Sequence, residues 1–155
     1  MMTTAITRMF ADSFKKEWYE TYWVFDLHGT IVKRTYKDKN APIVYYPYAD
    51  MVLRLLSKRD DIKLILWTSS FQADIDKHLM LFEVDFIHFD HVNANPHISS
   101  RNGNFGYYDE KFYFNLLFDD KAGFEPEVEW EQIYNLMDRY RRINYLPDKN
   151  WTTKY

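Results

Sequence analysis

The chain contains no cysteine, so it can form neither disulfides nor thiolate metal sites. It also lacks an excess of positive charge: 20 Lys and Arg against 23 Asp and Glu leave a net charge of -3. No overall basic field therefore advertises nucleic acid, although a local patch stays open. No apolar run reaches the roughly 18 residues of a membrane span, and the first residues carry no signal-like apolar segment. The expectation is a soluble, cytoplasmic protein without membrane association.

What is present argues for a packed core. Hydrophobic residues make up 46% of the chain and aromatics 19%, which excludes a disordered composition. The mean hydropathy of -0.53 is low because 13 tyrosines count as nearly polar while bringing apolar rings. A length of 155 residues suits one domain, and neither an internal repeat nor a linker divides it. The core is expected over about 20–141, preceded by a helix over about 5–20 and followed by a tail over about 144–155.

In chain order, Ile6, Met9, Phe10, Phe14 and Trp18 recur at helical spacing and predict an amphipathic helix packed on a sheet. Tyr22–Leu27 reads as a buried strand, and Gly29 turns the backbone away after it. Two short β-rich runs, Ile31–Tyr36 and Ile43–Tyr46, flank a polar turn and predict a hairpin flap. Pro47 opens a second helix with Met51, Val52, Leu55 and Leu56 as its apolar stripe. Ile62–Trp67 is the next strand; Phe71, Ile75, Leu79 and Phe82 mark the helix after it. Val84–Phe89 predicts a third strand, 93–106 a loop, and Phe112–Phe118 a fourth strand. Pro126 opens the last helix, with Trp130, Ile133, Tyr134, Met137 and Arg141 on one face. Alternating strands and helices imply an α/β fold with a mostly parallel sheet and helices on both faces.

Three of these strands end in polar groups: Asp26, Thr68-Ser69 and Asp119-Asp120. In a parallel sheet such ends share one edge, which is where open α/β sheets bind ligands. Carboxylates gathered there repel one another unless a hard cation joins them, and Mg²⁺ takes oxygen ligands of this kind. A hydroxyl and free amides at a strand-to-helix junction suit a phosphate. Together these point to phosphoryl chemistry with a carboxylate free to attack phosphorus.

The segment Asp26-Leu27-His28-Gly29-Thr30 resembles the first motif of the haloacid dehalogenase (HAD) superfamily, usually Asp-x-Asp-Gly-Thr. Leu66-Trp67-Thr68-Ser69 is similar to the second motif, Lys111 can fill the third, and Leu117-Phe118-Asp119-Asp120 resembles the fourth. The resemblance runs in order over about residues 22–125. It implies a three-layer, Rossmann-like HAD fold with a minimal cap or none. It also implies a phosphatase in which Asp26 is the nucleophile, forming an aspartyl-phosphate. Asp26, the His28 carbonyl and one or both of Asp119 and Asp120 would hold Mg²⁺. Thr68 and the Ser69 amide would bind the phosphoryl oxygens, and Lys111 would neutralise charge, with Lys121 as its rival. The spacing from Lys111 to the acid pair is most similar to the 5'-nucleotidase branch.

His28 is the departure, because the family usually has Asp there as general acid and base. An imidazole can do that work near neutral pH, and such help is typically worth about 10² to 10⁴ in rate. A module that binds Mg²⁺ and phosphate without turnover is the alternative. Thr68 and Ser69 could equally cap the following helix. His88, His91 and His97 match no compact zinc spacing. An open site would admit a small phosphate ester, a nucleotide or a nucleic-acid end, or be covered by a homo-oligomer partner. Tyr36, Tyr45, Tyr46, Tyr48, Tyr107 and Tyr108 lie near its expected mouth and could stack on a base.

Overall fold

Strand β1 (Thr21–Asp26) is buried along nearly its whole length because Tyr22, Trp23, Val24 and Phe25 give it an apolar surface on both faces. The computed structural model describes residues 1–35, 38, 40–98 and 112–142, with the side chains of 139–142 excepted. Lys111, Tyr36, Tyr107, Tyr108, Arg141's side chain, residues 99–106 of the long loop and the tail 144–155 lie outside the described residues. The other strands are β2 (Ile62–Trp67), β3 (His91–Val92) and β4 (Leu116–Phe118). They form one sheet in the order β3-β2-β1-β4, and every pairing is parallel.

Helices α1 (Met2–Lys15), α2 (Ala49–Ser57), α3 (Gln72–Val84) and α4 (Pro126–Arg142) flank the sheet. The architecture is α/β and Rossmann-like. Trp23, Phe25, Leu64 and Leu66 share a large core with Ile6 and Phe10 of α1, Val52 and Leu56 of α2, Phe82 of α3 and Trp130 of α4. On the alternate strand positions, Tyr22, Val24 and Ile65 pack with Ile98, Phe112, Phe114 and Leu117. Beneath the carboxyl edge of the sheet the Phe118 ring stacks on Phe25 at 4.3 Å and on Trp23 at 5.7 Å. The buried Glu129 carboxylate accepts from the Met2 amide at 2.6 Å, tying α1 to α4.

Several boundaries differ from the sequence expectations, each for a local reason. Helix α1 stops at Lys15 and not near 20, because Glu17 takes a left-handed conformation, φ 55°. The Trp18 amide then donates to the Ser13 carbonyl and the Glu17 amide to Phe14, the paired bonds that close a helix end. Phe14, assigned to the packed stripe, is therefore exposed. Helix α2 begins after Tyr48, φ 67°, and buries Ala49, Val52, Leu53 and Leu56, leaving Met51 exposed. In place of a regular hairpin, the two runs of the flap are joined, among the described residues, by the Lys33 amide donating to the Val44 carbonyl (2.8 Å) and the Tyr46 amide to the Ile31 carbonyl (3.0 Å).

The third strand is the largest correction. Val84–Phe89 is not a strand: α3 runs through Val84 and ends in a second closed terminus with Phe86 at φ 61°. There the Ile87 amide donates to Phe82 and the Phe86 amide to Glu83. The Leu64 amide then donates to Asp90 Oδ2 (2.8 Å) while the Asp90 amide donates back to Leu64 (2.8 Å). A side chain thus stands in for strand backbone, and regular pairing starts only at His91. The other edge repeats the device. The Tyr22 amide donates to Asn115 Oδ1 (2.7 Å) and the Asn115 amide to Tyr22 (2.8 Å), so β4 begins at Leu116 and not at Phe112.

Candidate active site

The register of the sheet brings the predicted residues together. Asp26 is opposite Trp67 in β2, and Phe25 is opposite Phe118 in β4. Thr68 and Asp119 therefore emerge one step past the pairs that flank Asp26. Carboxylate oxygens of Asp26, Asp119 and Asp120 lie within 4.8 Å of one another. Burial raises the Asp26 pKa above the usual carboxylate range; the Leu27 amide opposes this, and the charges of Asp119 and Asp120 add to it. Lys121 pulls it back down, so its ammonium group acts on this cluster.

The turn after β1 holds the acids in place. The Leu27 carbonyl accepts from the amides of Thr30, Ile31 and Val32 at 3.4, 3.0 and 3.1 Å, and the Gly29 amide donates to Val32 at 2.8 Å. Thr30 is fully buried. Its hydroxyl accepts from the Asp120 amide (3.1 Å) and faces Asp26 Oδ2 at 3.5 Å. Arg34 pairs with Asp120 Oδ2. Asp119 Oδ1 accepts from the Lys121 amide at 2.8 Å, opening the short 3-10 turn Asp120–Ala122.

Gly29 has φ 88°, and a Cβ there would collide with the Arg34 guanidinium. Gly29→Ala is expected to lower stability by about 1 kcal/mol or more, since an L-residue is strained at that φ. It should also push Arg34 off Asp120. The check is the denaturant midpoint; an unchanged midpoint would contradict this role for Gly29.

On the β2 side Thr68 is buried and gripped at both backbone groups by Asn93. Its amide donates to Asn93 Oδ1 (2.8 Å), and Asn93 Nδ2 donates to its carbonyl (2.9 Å). The Thr68 hydroxyl donates to Ser70 Oγ at 2.9 Å and accepts from the Ser70 amide at 3.2 Å. Ser69 is exposed at the same junction, in front of α3.

His28 turns toward α3, where its Nε2 meets Asp74 Oδ2 at 2.7 Å. One helical turn on, His78 Nδ1 lies 2.7 Å from the Asp74 carbonyl and 3.4 Å from Asp74 Oδ1. The His28 and His78 rings meet edge to face at 5.0 Å. Burial would raise the Asp74 pKa, but the His28 bond, the charges of His78 and His28 and a bond from Ser70 outweigh it and hold it low. Burial lowers the His78 pKa, against the opposing pull of Asp74.

Of the predicted residues, Asp26, Asp119 and Asp120 form one cluster, with Thr68 and His28 on the flanking elements; Lys111 lies outside the described residues. Thr30, Arg34, Asp74 and His78 were not singled out. The Asp74/His78 spacing of four, just past a Thr-Ser strand end, was the available signal for two of them. His91 and His97 approach through their Nε2 atoms at 2.7 Å, whereas His88 turns to Glu83. Tyr45 bonds Asp85 at 2.6 Å, Tyr48 packs on Tyr134 and Tyr46 lies under Lys33; these three rings have packing partners in the scaffold.

No family model matches the chain, and no curated protein does. Among solved structures, a conserved protein from Bacteroides thetaiotaomicron is similar in fold, with a TM-score of 0.56 and 22% identity. The match covers 84% of this chain and 99% of that one. At this identity the likeness bears on the architecture alone, an α/β sheet flanked by helices. Separately, no described helix of this chain is long and apolar enough to cross a membrane.

Proposed function

We propose that this chain is a Mg²⁺-dependent phosphomonoester hydrolase of the HAD type, working through an aspartyl-phosphate at Asp26. The observation that carries the reading is the convergence of Asp26, Asp119 and Asp120 within 4.8 Å at the ends of β1 and β4. The residues fit a hard cation: all three donors are carboxylates, and Asp120 Oδ1 is buried with no hydrogen-bond partner among the described residues, an atom otherwise costly to leave bare. Asp26, Asp119 and Asp120 would hold Mg²⁺, with the His28 carbonyl as the further ligand that the resemblance supplies. Bound there, Mg²⁺ would offset the carboxylate repulsion and polarise a phosphoryl oxygen.

The chain's own groups account for the rest. One Asp26 oxygen attacks phosphorus, the P–O bond to the leaving group breaks, and the departing oxygen takes a proton from the His28 imidazolium. The neutral imidazole then accepts a proton from water as that water attacks the acyl phosphate, which releases inorganic phosphate and restores Asp26. Asp74 holds the His28 ring at Nε2, so Nδ1 is the nitrogen free for this work. Thr68 and the Ser69 amide receive the phosphoryl oxygens. Either Lys111 or Lys121 supplies the compensating charge. A nucleotide or a nucleic-acid end is the substrate class that fits an open edge. Phe71, 90% exposed just beyond Ser69, offers a ring for a base.

The test is phosphate release from an aryl phosphate and a nucleotide panel, with and without Mg²⁺. Mg²⁺-dependent release is expected. A second reading, a binding module, is favoured by the engagement of His28 Nε2 with Asp74. It gives tight binding of Mg²⁺ and a phosphate mimic with no release. Neither binding nor release would overturn both.

A further inference from the structure

We propose that His28, Asp74 and His78 form a second cation site, separate from the three-carboxylate cluster, that takes a divalent transition metal of the Zn²⁺ class. Each residue presents one ligand atom, and the three atoms lie within 4.8 Å of one another. Two elements supply them. Asp74 and His78 are one turn apart on α3, and His28 comes from the turn after β1.

The donor chemistry separates the two sites. Asp26, Asp119 and Asp120 offer only carboxylate oxygen, the preference of Mg²⁺. Two imidazoles and a carboxylate form the set that catalytic zinc sites use, with a fourth position open to water. His78 is prepared for this role. Its Nδ1–H donates to the Asp74 carbonyl at 2.7 Å, the outer bond that fixes a metal-binding tautomer with its lone pair on Nε2. Among the described residues nothing bonds that Nε2. The His78 side chain is 4% exposed, whereas the His28 and Asp74 side chains are 26% and 36% exposed and give the cation a way in. Without metal, the 2.7 Å contact between His28 Nε2 and Asp74 Oδ2 keeps two of the ligands together; the cation takes the place of the shared proton. The His91–His97 pair has no such third ligand among the described residues.

Binding needs no turnover, so the inference stands apart from the phosphatase reading. One consequence does rest on that reading: a His28 ring bound to Zn²⁺ through Nε2 keeps its Nδ1 proton and cannot cycle as acid and base, so added Zn²⁺ would slow Mg²⁺-dependent release.

The experiment is calorimetric titration of the metal-free full chain with Zn²⁺, repeated with Co²⁺, whose visible spectrum reports imidazole ligation at low coordination number. One equivalent should bind the wild type. Asp74→Asn and His28→Ala, both at partly exposed positions, should weaken it by more than about 10-fold, the loss that even outer-shell changes cause. His78→Gln should do the same, with far-ultraviolet circular dichroism confirming its fold. Asp26→Asn should bind Zn²⁺ as the wild type does. No binding to the wild type would overturn the proposal, as would undiminished binding to Asp74→Asn and His28→Ala, or a loss confined to Asp26→Asn.

Discussion

Asp26→Asn is expected to cut Mg²⁺-dependent phosphate release by about 10⁴-fold or more, the scale seen when a covalent nucleophile is removed. The same substitution should not harm the fold. Asp26 has its pKa raised, first by burial and then by Asp119 and Asp120, so its ionised form is penalised on folding. At any pH above the ordinary carboxylate range that penalty opposes stability, and an uncharged isostere removes it. In metal-free buffer the Asn variant should therefore melt at or above the wild-type temperature.

Mg²⁺ should reverse that order. It binds the folded carboxylates and stabilises the wild type by mass action, whereas the variant has lost one ligand and should gain less. Two readouts thus move in opposite senses, which a merely structural Asp26 would not produce. A variant that keeps most of its activity would remove Asp26 from the chemistry. One that melts well below the wild type without metal would show that the carboxylate is a structural cap.

The parts of this arrangement that were legible in the sequence are those written in side-chain periodicity. Ile62–Trp67 was placed residue for residue, and β1 to within one, because an apolar run ending at a polar residue specifies a buried parallel strand. The convergence of Asp26 and Asp119 then followed from the shared carboxyl edge of a parallel sheet. What was not legible depended on backbone conformations that the local residues do not advertise. Helix ends usually announce themselves with Gly; here Glu17 and Phe86 adopt the left-handed state, so α1 was drawn too long and α3 too short. Asp90 and Asn115 replace backbone in the sheet with side-chain oxygen, and no propensity scale sees that. The contribution of Asp74 was hidden for a different reason: its partner His28 is 46 residues away, and only the packing of α3 beside the first turn brings them together.

Trp130→Ala is expected to destabilise the protein by about 3–5 kcal/mol, as large aromatic truncations in cores do, lowering the melting temperature by roughly 10 °C for a chain of this size. The Trp130 ring is fully buried. It lies parallel to Phe118 at 5.9 Å and to Phe25 at 6.1 Å, with Phe124 edge-on at 5.1 Å, so no neighbour can move far to fill the void. Its Nε1–H also donates to the Thr30 carbonyl at 2.8 Å, in the residue whose hydroxyl sits between Asp26 and Asp120. Trp130→Phe separates these roles. It retains a ring in the stack and strips the donor from a buried carbonyl, at a cost of about 1–3 kcal/mol. Because Thr30 positions both acids, the Phe variant should also lose activity, toward the roughly 10²-fold that an ångström of misplacement can cost. Denaturant unfolding and phosphate release, measured side by side, check both halves. Full activity in a destabilised Phe variant would mean that Thr30 is held by its own turn and that the tryptophan serves the core alone.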